Sequence, residues 1–185
     1  GAKKVKTETE LSKTSVSTAT LALKVAEEEL GTLKDKKVLI IGATGKIGGI
    51  VLMNLESLHQ ADIYVTTRKN KLINTKHGND DFTTIDYEDR YNYLDQMDVV
   101  ISATSSPHYT LTYSKMKKQL VTAKRRVFVD LAVPMDIEAK ISAVDDTCYY
   151  NIDDFTRIAK ENNQKKLREA EAASGILDEY ELQFE

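Results

Sequence analysis

Cysteine is nearly missing from this 185-residue chain. Cys148 is the only one, which excludes an internal disulfide and any cysteine-rich zinc site, and fits a reducing, cytoplasmic setting. The three histidines, His59, His77 and His108, are scattered without the spacing of an HExxH helix, so no metal site is expected. No stretch approaches the roughly 20 apolar residues that a membrane span needs. The polar start, Gly1-Ala2-Lys3-Lys4, is not a signal peptide. It also lacks an initiating Met, so Gly1-Ala2 reads as a cleavage scar and the chain as an excised fragment. A net charge of −3 offers no broad basic face for nucleic acid. What remains, 41% hydrophobic and 30% charged, describes a soluble globular protein. Its length suits one α/β domain with extra helices and is too short for two full domains.

The first dozen residues are rich in Lys, Thr and Glu and read as a polar lead-in. Ser17 is a plausible N-cap for a helix whose apolar face is Ala19, Leu23, Ala26 and Leu30, ending near Gly31. The run Val38-Leu39-Ile40-Ile41 is apolar at every position, as suits a parallel strand buried on both faces. Periods then alternate. A helix is expected from Ile47 to Leu58, a strand at Ile63-Tyr64-Val65, a short helix or loop from Lys69 to His77, and a strand from Phe82 to Ile85. A brief helix near Tyr91 to Leu94 precedes the strand Val99-Val100-Ile101. A helix from Leu111 to Ala123 leads to strands at Val127-Phe128-Val129 and Cys148-Tyr149-Tyr150. This alternation predicts an α/β fold, a Rossmann-like doubly wound parallel sheet, with an N-terminal helix before the first strand and a long C-terminal helix. Beyond Asp153 a charged, proline-free segment with apolar residues from Phe155 to Phe184 reads as that long helix, or two, weakened locally at Gly175. The expected organisation is 1–34 lead-in and helix, 35–153 nucleotide domain, and 154–185 the start of a helical region.

The first strand runs straight into Gly42-Ala43-Thr44-Gly45-Lys46-Ile47-Gly48-Gly49 and a helix follows. Glycines here allow a tight exit from the strand, close approach of backbone to a pyrophosphate, and close packing of helix on sheet. The helix N-terminus offers amides and a partial positive charge to phosphate. The spacing is GxxGxxG rather than GxGxxG, with Thr44 where the second glycine would sit; an ordinary ligand-free turn is the plainer alternative. An NAD site would place a carboxylate about 20 residues past the glycines, on the ribose hydroxyls. That position reads Val65-Thr66-Thr67-Arg68-Lys69, without a carboxylate. Arg68 and Lys69, with Thr66 or Thr67, suit a 2′-phosphate, so the expected cofactor is NADP(H); a solvated basic loop is the alternative. Ser102-Ala103-Thr104 and the following Ser105-Ser106-Pro107-His108 end the central strand with room for the nicotinamide half. Asp130-Leu131-Ala132-Val133-Pro134 lies at the same edge. The expected contact set is therefore Gly42, Thr44, Gly45, Lys46, Ile47, Thr66, Thr67, Arg68, Lys69, Ser102, Ala103, Thr104, Asp130 and Ala132.

Several of these segments carry a resemblance. Lys4-Val5-Lys6-Thr7-Glu8-Thr9-Glu10, the helix from Val16-Ser17, the glycine loop, Val100-Ile101-Ser102-Ala103-Thr104, the run Val129-Asp130-Leu131-Ala132-Val133-Pro134-Met135-Asp136-Ile137, and Tyr150-Asn151-Ile152-Asp153-Asp154 occur in the order seen in glutamyl-tRNA reductases. The resemblance covers nearly the whole chain and is most specific in the run from Asp130 to Ile137. It implies a domain that supplies hydride from NADPH to a glutamyl thioester, releasing glutamate-1-semialdehyde and tRNA, in tetrapyrrole synthesis. The cysteine nucleophile would reside in a preceding domain, and the helical region would lead to a dimerisation domain, so glutamyl-tRNA and a homodimer belong to the full-length enzyme. The family's loop usually has the form GAGEMG, and this chain departs from it. Related reductases, shikimate dehydrogenase-like or precorrin-2 dehydrogenase-like, and a non-catalytic cofactor-sensing module are the alternatives.

Other residues admit two readings each. His108 could donate a proton near the nicotinamide or be a loop residue with no such role. Asp130 could orient the cofactor or cap a turn. Cys148 matches no nucleophile position and reads as structural. Asp153-Asp154 reads as a helix start. Lys117-Lys118 and Arg125-Arg126 could meet tRNA phosphates but read by default as solvated. No catalytic residue is assigned, and the fragment alone is expected to be inactive and mostly monomeric. Sedimentation equilibrium should return the monomer mass across the concentration range; a concentration-independent dimer would refute that expectation.

Overall fold

A computed structural model describes residues 2–68 and 81–183, with side chains described from residue 14 to residue 175 outside the 69–80 segment. The expected segment from Lys69 to His77 lies outside the described residues. Six parallel strands, β1 (Lys37–Ile41), β2 (Asp62–Thr67), β3 (Phe82–Asp86), β4 (Val99–Ser102), β5 (Arg126–Asp130) and β6 (Thr147–Asn151), form one sheet in the order β3-β2-β1-β4-β5-β6. The helices are α1 (Ala2–Leu30), α2 (Lys46–Leu58), α3 (Tyr113–Gln119) and α4 (Ile152–Gln183), with 3₁₀ segments at Tyr87–Gln96 and Ala139–Ala143. This is a doubly wound Rossmann-like fold, in which the chain reverses its direction of winding between β1 and β4.

The central strands are apolar throughout because both faces are covered. Successive side chains alternate between two cores. Val38, Ile40, Val99, Ile101, Val127 and Val129 meet Ala19, Leu23, Val51, Leu55 and Phe155 from α1, α2 and α4 on one face. Leu39, Ile41, Val100 and Phe128 meet Leu94, Leu111, Met116, Ile137 and Ile141 on the other.

Helix α1 begins at Ala2, so Ser17 is not its N-cap and the lead-in is helical. No Gly or Pro interrupts residues 2–30, and Lys, Glu, Leu and Ala favour helix even where no apolar face announces it. Within it, Thr18 and Thr20 return their hydroxyls to the carbonyls of Thr14 and Val16 at 2.8 and 2.9 Å. Gly31, at φ 83°, ends the helix in the left-handed conformation. The helix expected from Leu111 to Ala123 is shorter at both ends. Leu111 forms a bridge with Ile137, while Asp95 draws the amides of Val121 and Thr122 out of helical geometry at 2.9 and 2.8 Å. Helix α4 runs unbroken through Gly175. Its start is a reciprocal cap: Asn151 Oδ1 accepts from the Asp154 amide at 3.1 Å, and Asp154 Oδ2 accepts from the Asn151 amide at 2.8 Å.

Two local constraints fix the chain around the first crossover. Gly42 has φ 92°, and a Cβ there would stand 2.6 Å from the Ala103 carbonyl oxygen. A Cβ on Gly48 would stand 2.0 Å from the Gly42 carbonyl oxygen, so α2 crosses the end of β1 backbone to backbone. At the opposite edge, Glu29 at the end of α1 accepts from the Tyr150 hydroxyl at 2.7 Å, from the Cys148 thiol at 3.2 Å and from Arg125. Cys148, half-buried, is thus part of a structural staple between α1 and β6.

Gly48→Ala is expected to destabilise the chain by at least about 2 kcal/mol, because backbone rather than a movable side chain fills the space; a melting temperature unchanged by the substitution would refute the packing. The Tyr150 hydroxyl, then Arg125 and the Cys148 thiol, hold the Glu29 carboxyl down at about 2 from an ordinary 4.5. A depressed acid stabilises the fold above its unfolded pKa and loses that effect as pH falls through the folded value. The stability gap between the native chain and Glu29→Gln should therefore be full near neutrality and close as pH falls from 4.5 towards 2. Urea melts at several pH values check this, and a gap independent of pH contradicts it.

Candidate functional site

At the carboxyl end of the sheet, where β1 and β4 part, a cavity of about 710 Å³ opens, a size usual for small-molecule sites. Its floor is the glycine turn. The Gly45 amide donates to the Gly42 carbonyl at 3.1 Å and closes the turn; Gly45, at φ −79° and ψ 172°, caps α2; and the Gly49 amide returns to the Gly45 carbonyl at 2.9 Å. The residue added relative to GxGxxG is accommodated inside this closed turn, with Thr44 exposed on the cavity side. Gly45, Lys46 and Ile47 bring the positive end of the α2 dipole to the cavity.

Thr66, Thr67 and Arg68, at the end of β2, line one side of the cavity together with Tyr87. The exposed Arg68 guanidinium carbon lies 4.3 Å from the centre of the Tyr87 ring. Asp86, in register with Thr67, accepts the Glu88 amide at 3.0 Å and so caps the 3₁₀ segment. Lys69, expected beside Arg68, lies outside the described residues.

The other side is built by Ala103, Thr104, Ser105, Ser106, Pro107, Leu131 and Val133. Two buried carboxylates hold these segments. Asp136 accepts from Ser102 Oγ at 2.7 Å, the Thr104 amide at 2.8 Å and Thr104 Oγ1 at 2.7 Å. Asp130 accepts from the amides of Ala132, Asp136 and Ile137 at 3.0, 2.8 and 2.7 Å. Burial pushes the Asp130 carboxyl up to about 6, with the backbone amides opposing. Removing either acceptor would leave buried donors unpaired, at about 1–3 kcal/mol for each.

Of the expected contact set, Gly42, Thr44, Gly45, Lys46, Ile47, Thr66, Thr67, Arg68, Ala103 and Thr104 line this one cavity. Ser102, Asp130 and Ala132 do not. All three are buried, Ser102 and Asp130 completely and each with its side-chain oxygens engaged, so they support the wall rather than form it. The chain neighbours Leu131 and Val133 face the cavity instead. For Asp130 the turn-capping reading is the one the geometry matches. His108 is exposed and is not among the lining residues; its backbone amide and carbonyl both meet Ser106 Oγ, at 3.1 and 2.9 Å. Arg126, buried, pairs with Asp95 at 2.8 Å and serves the fold rather than a solvated face, whereas Arg125 pairs with Glu29 and stays exposed. Among the described residues no cluster of His, Cys, Asp and Glu could hold a metal, and no helix is long and apolar enough to cross a membrane.

Two lining residues, Ser15 and Tyr87, come from segments that the sequence did not place at the site. Ser15 reaches the cavity from α1, and extending the α1 stripe of Ala19, Ala22, Leu23 and Ala26 back by one turn would have found it. Tyr87 follows β3, at the same carboxyl edge that led to Arg68 and Thr104.

Comparison with known proteins gives this cavity a context. A family model described as shikimate / quinate 5-dehydrogenase matches residues 24–158. A glutamyl-tRNA reductase of Clostridium novyi (strain NT) is 35% identical over 185 residues, covering 99% of this chain and 44% of its own length. The solved glutamyl-tRNA reductase from Methanopyrus kandleri superposes with a TM-score of 0.69 at 27% identity, over 85% of this chain and 40% of that one. The nucleotide-binding domain of glutamyl-tRNA reductase from Thermoplasma volcanium, at 21% identity, shares the fold with a TM-score of 0.54, over 82% of this chain and 96% of that one. The chain thus spans less than half the length of the curated relatives it matches. It belongs to the shikimate / quinate 5-dehydrogenase family, and is homologous to glutamyl-tRNA reductases over the region of their nucleotide-binding domain.

Proposed function

We propose that this chain is the NADP(H)-binding domain of a glutamyl-tRNA reductase. The observation that carries the reading is one shared cavity at the β1/β4 parting. It joins a glycine turn and helix N-terminus to the carboxylate-free, cationic end of β2 and to a wall of small hydroxyl residues. Each part suits one part of the dinucleotide. The turn from Gly42 to Ile47 would hold the pyrophosphate, with the α2 dipole opposing its charge. Thr66, Thr67 and Arg68 would hold the adenosine ribose and its 2′-phosphate. Ala103 and Thr104, fixed by Asp136, would leave room for the nicotinamide and orient it. NADPH supplies hydride when bound.

In the full-length protein the acceptor would be a glutamyl thioester derived from glutamyl-tRNA and formed on another domain, giving glutamate-1-semialdehyde for tetrapyrrole synthesis. The relatives' names and the 35% identity support that assignment. We keep 35–153 as the nucleotide domain and 154–185 as the start of a helical, dimer-forming region. Residues 1–34 become more than a lead-in, since Ser15 makes α1 part of the cavity wall. The family match over 24–158 favours, as a second reading, a reductase of another small substrate. Supplying the full-length protein with glutamyl-tRNA and NADPH separates the two: semialdehyde formation supports the first, and its absence with cofactor bound supports the second.

Isothermal titration should show NADPH binding at least about tenfold more tightly than NADH, the scale of one charge-assisted phosphate contact. Arg68→Ala should remove most of that preference by weakening NADPH far more than NADH. Equal affinities in the native chain, or a preference untouched by the substitution, would overturn the 2′-phosphate assignment.

A further inference from the structure

Tyr87 opens the 3₁₀ segment after β3 and lines the cavity next to Arg68. Its ring carries two guanidinium groups, with the Arg68 carbon at 4.3 Å and the Arg90 carbon at 3.9 Å from the ring centre. Arg90 does not line the cavity and is fixed in place. Its Nε donates to the Thr110 carbonyl at 2.6 Å, its Nη1 donates to the Tyr87 carbonyl at 2.9 Å, and it also lies 4.8 Å from the Tyr91 ring. The Tyr91 hydroxyl in turn accepts the Thr112 amide at 2.8 Å. Tyr87 is therefore mounted on the connection between β4 and α3, whereas Arg68 is an exposed arm beyond the end of β2.

An exposed arginine samples many rotamers and must lose that freedom to meet a phosphate. A ring face within cation–π reach restricts it beforehand. The arrangement also concentrates positive charge. Among the described residues, no carboxylate oxygen stands within 4.0 Å of either guanidinium. Two cations over one ring repel each other, and a dianionic phosphate at the cavity mouth relieves the repulsion where a neutral ribose hydroxyl does not.

Resting on the NADP(H) reading above, we infer that Tyr87 is a specificity-determining positioning residue. It holds the Arg68 guanidinium ready for the 2′-phosphate, and Arg90, stacked on the same ring, reinforces the field. The ratio of NADPH to NADH affinity reads this role, because a merely structural contribution to folding would move both affinities together.

NADPH and NADH are titrated into the native chain and into Tyr87→Leu, Tyr87→Phe and Arg90→Gln. Tyr87→Leu should lower the NADPH-to-NADH affinity ratio about three- to tenfold, and Arg90→Gln about two- to fourfold, while Tyr87→Phe keeps the native ratio. A native ratio in Tyr87→Leu overturns the assignment, as does an equal loss in Tyr87→Phe, which would transfer the effect to the hydroxyl. Should Tyr87→Leu fail to fold, seen as loss of NADH binding too, Arg90→Gln decides, and an unchanged ratio there overturns the proposal. A native chain that binds both dinucleotides alike would instead refute the NADP(H) reading itself.

Discussion

Three backbone segments meet without side chains between them, and the rest of the molecule is arranged around that contact. The end of β1, the start of α2 and the end of β4 approach so closely that a single methyl group on Gly42 would stand 2.6 Å from the Ala103 carbonyl oxygen, and one on Gly48 2.0 Å from the Gly42 carbonyl oxygen. This approach lets α2 begin directly above the parting of β1 and β4, with its N-terminus at the cavity. It also explains how GxxGxxG serves where GxGxxG is usual. The glycines at the strand exit and the helix crossing keep their steric roles, while the extra residue is absorbed in a turn closed by the Gly45 amide.

The far wall depends on a different force. Asp130 and Asp136 are fully buried carboxylates, which would be costly in apolar surroundings unless hydrogen-bonded. Between them they accept from four backbone amides and two hydroxyls, joining the loops after β4 and β5 into one unit. Thr104 at the cavity and the turn from Leu131 to Ile137 are thus fixed together. The run from Asp130 to Ile137, the most specific part of the family resemblance, supplies both carboxylates of this clamp, while Leu131 and Val133 within it line the cavity.

Much of this was legible in the sequence because short-range rules govern it. The apolar run of β1, the glycine turn and the alternation of periods give the sheet. The carboxyl-edge rule finds Arg68 and Thr104. The misreadings have long-range causes. Leu111 to Ala123 looks helical until Asp95, 26 residues before Val121, captures its end. Asp130 and Ser102 occupy the right edge, but only the folded chain shows them pointing away from the cavity into the clamp. Ser15 was missed because Ser17 reads as the start of the helix, short of where the α1 stripe points, and Tyr87 because nothing near it in sequence marks its stacking on Arg68 and Arg90.

The central claim is that one dinucleotide occupies the cavity from the β2 end to Thr104. A crystal structure of the chain grown with saturating NADPH tests it most directly. The account predicts pyrophosphate oxygens within hydrogen-bond distance of the backbone amides at the start of α2, the 2′-phosphate against the Arg68 guanidinium, and the nicotinamide beside Thr104. Density for NADPH at any other surface, or a pyrophosphate displaced from the glycine turn, would contradict it.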